Sequence, residues 1–266
     1  MKMMGILNVT PDSFTDGGDY VDMDAAVARA LQMVADGADI IDVGGESTHP
    51  SAPPISQAEE LQRTIPLIEK IAPKIKVPIS IDTYKSEVAR QAVFAGATMI
   101  NDIGGAKFDP DMPSVMAESD ATLILMHNRK DGNTKYADVV ADLKRELQES
   151  VDLVLDAGVK PEKIILDPGI GFAKTYDQSV EILQRITELK SLGFPILIGA
   201  SKKGTIGHLL GGVGVLGRAD GTLAVTCYAA QKEIDYIRVH DVLANQHAIC
   251  VFKKLNEVPH VKNLSK

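Results

Sequence analysis

The sequence predicts an α/β fold, a single (β/α)8 TIM barrel spanning residues 1–266. Three observations predict it. Short, continuous apolar runs recur eight times along the chain, as parallel strands buried on both faces require. After each run come a loop and a stretch of helical periodicity, with no linker, low-complexity segment or break in composition. The length of 266 residues is close to the ~250 typical of a β/α barrel, whereas a doubly wound sheet uses about five or six strands.

The elements follow in order. The first strand is Met3 to Asn8 (MMGILN). Met23 to Ala35 then sets Ala26, Val27, Ala30, Leu31 and Val34 on one stripe, the pattern of a helix with one buried face. Ile40 to Gly44 (IIDVG), Pro78 to Asp82 (PISID), Thr98 to Asp102 (TMIND) and Thr122 to His127 (TLILMH) are the next strands. Ala141 to Ala157 is again helical, aligning Leu143, Leu147, Val151, Val154 and Leu155. Lys163 to Asp167 (KIILD), Pro195 to Ala200 (PILIGA) and Tyr236 to His240 (YIRVH) complete the set. Gly37, Gly96, Gly158 and Gly193 each stand just ahead of a strand. They are expected as helix C-caps, where only glycine takes the left-handed conformation cheaply.

Composition narrows the function classes. Apolar residues make up 45% of the chain, enough for a large core. Aromatic residues are 5% and Trp is absent, which argues against a stacking surface for single-stranded nucleic acid. Lys and Arg total 28 against 36 for Asp and Glu, a net charge of −8. Such a protein has no general attraction for nucleic acid or anionic lipid, so an anionic substrate needs a local cluster of positive groups. Cys227 and Cys250 cannot make a disulfide framework and read as buried thiols of a reduced, cytoplasmic protein. No apolar run approaches the ~20 residues of a membrane span, and the N-terminal run is too short for a signal peptide.

What ends each strand is the informative feature. In order the ends carry Asn8, Asp42 with Gly44, Asp82, Asn101 with Asp102, His127, Asp167, Ser201, and Arg238 with His240. In a β/α barrel these surround one mouth, where such enzymes place their sites. One Asp after a strand is more often a helix cap; polar ends on all eight strands point to a site. The groups divide by chemistry. Asp82, Asn101 and Asp167 offer acceptors to a heterocycle with adjacent N–H donors. Lys202, Lys203, Arg238 and His240 suit phosphate or carboxylate. Asn8 beside Thr48 suits oxygen ligation of a hard cation such as Mg2+ bridging phosphates. No nucleophile with an adjacent base is present, nor a pair of metal-ligating histidines. That favours chemistry in which a leaving group is stabilised electrostatically.

The loops after the first two strands, NVTPDSFTDGGDY and GGESTHPSAPP, are long and are expected as lids; the first carries one apolar residue, Phe14, with no obvious core to join unless it packs on the barrel rim. After the sixth strand comes LDPGIGFAKT, in which Gly169 and Gly171 would let backbone approach a ligand and Phe172 flank a flat ring. After the seventh comes SKKGTIG, read as an anion site.

The segments GILNVTPDSFTDGG, IIDVGGEST, ISIDTYKSEVA, INDIGG, LMH, LDPGIGFAKT, GASKKGTIG and YIRVHDV closely resemble, in order and spacing, the dihydropteroate synthase family. The resemblance covers nearly the whole chain. It implies an enzyme of folate biosynthesis that condenses (7,8-dihydropterin-6-yl)methyl diphosphate with 4-aminobenzoate, and a sulfonamide target. It implies pterin binding and catalysis by Asp82, Asn101, Asp167 and Lys203, with Lys203 on the ring carbonyl. Asn8 would be the Mg2+ ligand, and Arg238 and His240 would hold the diphosphate. Thr48, His49, Pro50, Phe172 and Ser201 would contact the diphosphate or the aminobenzoate. A homodimer is implied by the family alone. The chain departs from the family at His49, where Arg is usual, and at Gly204 and Thr205, after a loop that is commonly SRK. Both departures touch the diphosphate and aminobenzoate side. Two other readings share the pterin site: a pterin-binding methyltransferase of the same barrel family, and a pterin-binding paralogue without turnover.

Overall fold

A computed structural model describes residues 1–9, 23–46 and 54–256. Eight strands are all parallel: β1 (Lys2–Asn8), β2 (Ile40–Gly44), β3 (Ile79–Asp82), β4 (Met99–Asp102), β5 (Thr122–Met126), β6 (Ile164–Asp167), β7 (Leu197–Ile198) and β8 (Tyr236–Val239). They lie in the order β6-β5-β4-β3-β2-β1-β8-β7. A parallel bridge between Leu166 and Ile196 joins the two ends, so the sheet closes into a barrel. The (β/α)8 TIM barrel expected from the sequence is the fold found.

Around the strands run α1 (Met23–Ala35), α2 (Gln57–Ile71), α3 (Ser86–Ala95), α4 (Met112–Glu118), α5 (Val139–Asp156), α6 (Tyr176–Gln184), α7 (Gly204–Leu209), α8 (Ala219–Gln231) and α9 (Val242–Asn256). Their ends are set by local chemistry. Ser56 Oγ accepts from the Glu59 amide at the start of α2, Asp138 caps the amides of Val140 and Ala141 on α5, and Thr175 with Gln178 forms a capping box on α6. The four glycines expected as caps all have positive φ, reaching 118° at Gly96, so a side chain there would be strained.

Three expectations need correction. On α1, Leu31 is 39% exposed, while Met33 is buried with Ala26, Val27 and Ala30; the stripe turns by one position, leaving Leu31 at its edge. Cys227 is only half-buried and Cys250 is exposed, because the buried positions of α8 are Thr222, Thr226 and Ala229 and those of α9 are Val242, Asn245 and Ile249. The seventh strand, expected over Pro195 to Ala200, contracts to two residues. Pro195 has no N–H to give a ladder and contributes only its carbonyl, which accepts from Leu166.

The core has two parts. The larger lies between strands and helices. The smaller fills the barrel's lower interior with Met4, Ile40, Met99, Ile124, Ile165 and Leu197, against which Tyr236 packs. No helix among the described residues is long and apolar enough to cross a membrane.

Candidate active site

Side chains alternate across a strand, so one parity of residues points into the barrel. Two residues beyond the apolar interior layer, that parity reaches Ile6, Asp42, Asn101, Met126, Asp167, Gly199 and Arg238, and β3 adds Ser80 and Asp82. The barrel is therefore apolar at its lower end and polar at its mouth. A cavity of about 730 Å3 opens there, lined by Asn8, Phe172, Ser201, Lys202, Lys203, Arg238 and His240 among others.

Arg238 organises the deepest layer. Its Nε donates to Asp42 Oδ2 at 2.6 Å and its Nη2 to Asp82 Oδ2. Asn101 Nδ2 donates to the same Asp42 oxygen at 3.2 Å. Asp42 is completely buried, and among the described residues its Oδ1 has no hydrogen-bond partner. Burial raises the pKa of Asp82, and the Arg238 guanidinium holds it back. Burial also opposes the charge on Arg238, but Asp42 and Asp82 more than restore it and the guanidinium's pKa is raised. Across the barrel, Asp167 Oδ1 accepts from the Gly169 amide at 2.7 Å, and burial raises its pKa despite nearby Lys203.

The cations stand above this layer. Lys203 Nζ donates to the Ile170 carbonyl at 2.6 Å and lies 4.3 Å from the centre of the Phe172 ring. Burial lowers its pKa to about 8, opposed by Asp167. Lys202, at φ 56°, donates its amide to the Thr222 hydroxyl, and its carbonyl accepts from Arg218. Ser201 Oγ accepts from the His240 amide at 3.2 Å and lies 2.9 Å from His240 Nδ1. Burial, then Arg238, lowers the His240 pKa to about 4. A neutral imidazole whose Nδ1 accepts from Ser201 carries its proton on Nε2 and offers that N–H to a ligand.

The arrangement can hold a heterocycle by its N–H edge below and an anion above, with Phe172 and Lys203 between. The pterin binding enzyme family matches residues 4–240 of the chain. The chain belongs to this family. Within it, the chain is 51% identical over 240 residues to dihydropteroate synthase of Bacillus subtilis, covering 90% of this chain and 83% of that one. A dihydropteroate synthase from Xanthomonas albilineans, solved with 4-aminobenzoic acid, superposes with a TM-score of 0.92 at 41% identity, covering 97% and 94% of the two chains. One from Yersinia pestis, in a sulfonamide drug complex, gives 0.90 at 37% with the same coverage. Dihydropteroate synthases are transferases of folate biosynthesis, and the chain is an enzyme of that kind.

Of the family residues expected from the sequence, the structure brings Asp82, Asn101, Asp167, Lys203, Arg238, Asn8, Phe172, Ser201 and His240 to one mouth. Thr48, His49 and Pro50, and with them Phe14, lie outside the described residues. Two strand-end residues counted with the mouth do not face it. Asp102, of the outward parity, accepts from the amides of Gly104 and Ala106 at 2.6 and 2.7 Å and caps its own loop. His127 turns outward to Glu146 of α5 at 3.0 Å and to Lys174 at 2.8 Å. Gly169, expected to admit a ligand, instead admits protein: a Cβ there would overlap the His127 carbonyl. Asp42 was visible as a strand-end residue, but its tie to Arg238 spans 196 positions and left no local signal.

Proposed function

We propose that this family member joins (7,8-dihydropterin-6-yl)methyl diphosphate to 4-aminobenzoate, giving 7,8-dihydropteroate and diphosphate. The observation that carries the reading is the buried acceptor set Asp82, Asn101 and Asp167 in the layer of Arg238, at the same mouth as Lys203 and His240. The pterin's N–H edge meets the carboxylates, and Lys203 supports its ring carbonyl. The C–O bond to diphosphate breaks with its electron pair leaving on the diphosphate. The pterin methyl carbon is left electron-poor, the aniline nitrogen attacks it, and the nitrogen then loses a proton. No protein nucleophile is required, in keeping with a mouth whose groups bind and neutralise charge. Arg238 and the His240 Nε2–H serve the diphosphate, while Phe172 and Ser201 bound the aminobenzoate slot. Thr48, His49 and Pro50 are assigned to the same side. A sulfonamide is expected to compete for that slot.

Mg2+ is the proposed cofactor, with Asn8 as its protein ligand. Asn8 is on the cavity wall, and its Oδ1 would lie 3.3 Å from a Cβ placed on Gly44. Among the described residues no group of three or more His, Cys, Asp or Glu side chains could hold a metal. A single amide oxygen suits an ion that takes its remaining ligands from diphosphate and water, as Mg2+ commonly does. When bound it supplies positive charge beside the leaving diphosphate.

A cytoplasmic homodimer completes the reading. The exposed side chains of Leu209, Leu210, Val215 and Leu216, the last 95% exposed, form the apolar surface that supports it; sedimentation at two protein concentrations checks the assembly. The reaction itself is tested by incubating the protein with both substrates and Mg2+ and following diphosphate and dihydropteroate together. Equimolar release supports the condensation. Pterin binding without either product would leave a binding paralogue.

A further inference from the structure

One buried cation has no part in the roles above. Lys174 follows Phe172 in the loop after β6 and is 8% exposed. Its Nζ has three short contacts: 2.8 Å to His127 Nδ1, 2.9 Å to the Phe172 carbonyl and 3.1 Å to the Gly169 carbonyl. The His127 carbonyl is further off at 3.4 Å. The carbonyls can only accept, and an ammonium has three protons for the three short contacts. His127 Nδ1 must then accept as well. Its ring is neutral, with the proton on Nε2, 3.0 Å from Glu146 Oε2. Arg129 grips Glu146 in turn, at 2.6 and 3.0 Å. Burial, with Lys174 next, lowers the His127 pKa to about 3, which agrees with a neutral ring. Burial draws Lys174 down to about 7, while Asp167 and Glu146 hold it up and Lys203 and Arg129 oppose them.

What the ammonium grips is the stretch that carries the site. The Gly169 amide donates to Asp167 at 2.7 Å, the Ile170 carbonyl accepts from Lys203 at 2.6 Å, and Phe172 lies under the same Lys203 Nζ. The Gly169 carbonyl also accepts from the Phe172 amide at 3.0 Å, but without Lys174 the Phe172 carbonyl and the buried His127 Nδ1 would each lose the donor that meets them, a costly state.

We propose that Lys174 is a positioning residue for the transfer: its buried ammonium, backed by His127, Glu146 and Arg129, presets the β6 loop so that Phe172 bounds the aminobenzoate slot beside Lys203. The proposal rests on the condensation reading, and its test has one arm that does not. Lys174→Met keeps the chain length and removes the charge. In this variant KM for 4-aminobenzoate should rise about ten-fold and kcat should fall. KM for the pterin diphosphate should rise by a smaller factor, about three-fold, since Asp82 and Asn101 sit on other strands while Asp167 and Lys203 touch this loop. Lys174→Arg should recover part of the loss. Equal changes in both KM values, or none in a folded variant, would overturn the proposal. The second arm is nitrogen NMR of His127 in the unaltered protein, which needs neither turnover nor a variant. It should show a neutral ring protonated on Nε2 from about pH 5 to below about 7, where Lys174 is an ammonium; an imidazolium or the Nδ1–H form in that range would sink the idea.

Discussion

Arg238 stands between Asp42 and Asp82, two carboxylates with 0% and 7% exposure. Removing one partner of a buried pair leaves an uncompensated charge, which typically costs about 3–5 kcal/mol. Arg238→Met should lower stability to urea by an amount in that range, and pairing it with Asp42→Asn should recover part of the loss. An unchanged midpoint would mean that the three side chains do not form the contact described. The same residues show what could be read in advance. Asp82, Asn101 and Asp167 were legible because strand-end polar residues at a barrel mouth carry a site. Which strand ends face inward was not legible for Asp102 and His127, since parity depends on a register that a continuous apolar run does not reveal. His49 lies outside the described residues, yet its chemistry makes a distinct expectation. A diphosphate beside His49 would favour the imidazolium, so affinity should weaken as pH rises from about 6.5 to 8. His49→Arg stays charged throughout, so by calorimetry it should bind the diphosphate more tightly at pH 8 than the parent. Parallel pH curves would place His49 away from the ligand.

Among the elements, the loop after β6 is the most constrained. Gly169 has φ 65°, and a Cβ there would overlap the His127 backbone. Gly169→Ala should therefore shift the loop and cost roughly 1–3 kcal/mol in stability, together with a fall in kcat/KM. A variant with parent melting temperature and parent activity would contradict the packing described. Helices were the better-read elements: α1 runs over Met23 to Ala35 as expected, because its stripe and its glycine stop are both local. The β6 loop was read for its glycines and Phe172, but its anchor was missed. Lys174 meets His127 across 47 positions, and His127 meets Glu146 across 19, so no window of sequence holds the whole chain of contacts.

For the whole molecule, the fold was legible because it is a repeat count: eight apolar runs alternating with helices leave little room for another closed arrangement. The buried neutral histidines give it an acid limit. The folded pKa of His127 is about 3, against about 6.5 for a free imidazole. As pH falls below the higher value the unfolded chain takes up the proton first, so stability is lost down to the lower one. Asp102, raised by burial to about 6, acts in the opposite sense: its contribution is present in acid and lost as pH rises. Comparing His127→Gln with the parent separates the two, and the variant's melting temperature should fall less steeply from about pH 6.5 to 4. A slope equal to the parent's would mean that His127 is not held neutral.

If the buried carboxylates hold the pterin, calorimetric titration with the pterin diphosphate will separate the parent from Asp82→Ala and Asp167→Ala, each variant first shown to be folded. Groups left unpaired in such a site can cost a factor of ~10^4 in discrimination, so neither variant should give measurable binding. Near-parent affinity in both would contradict the assignment of this mouth to a pterin.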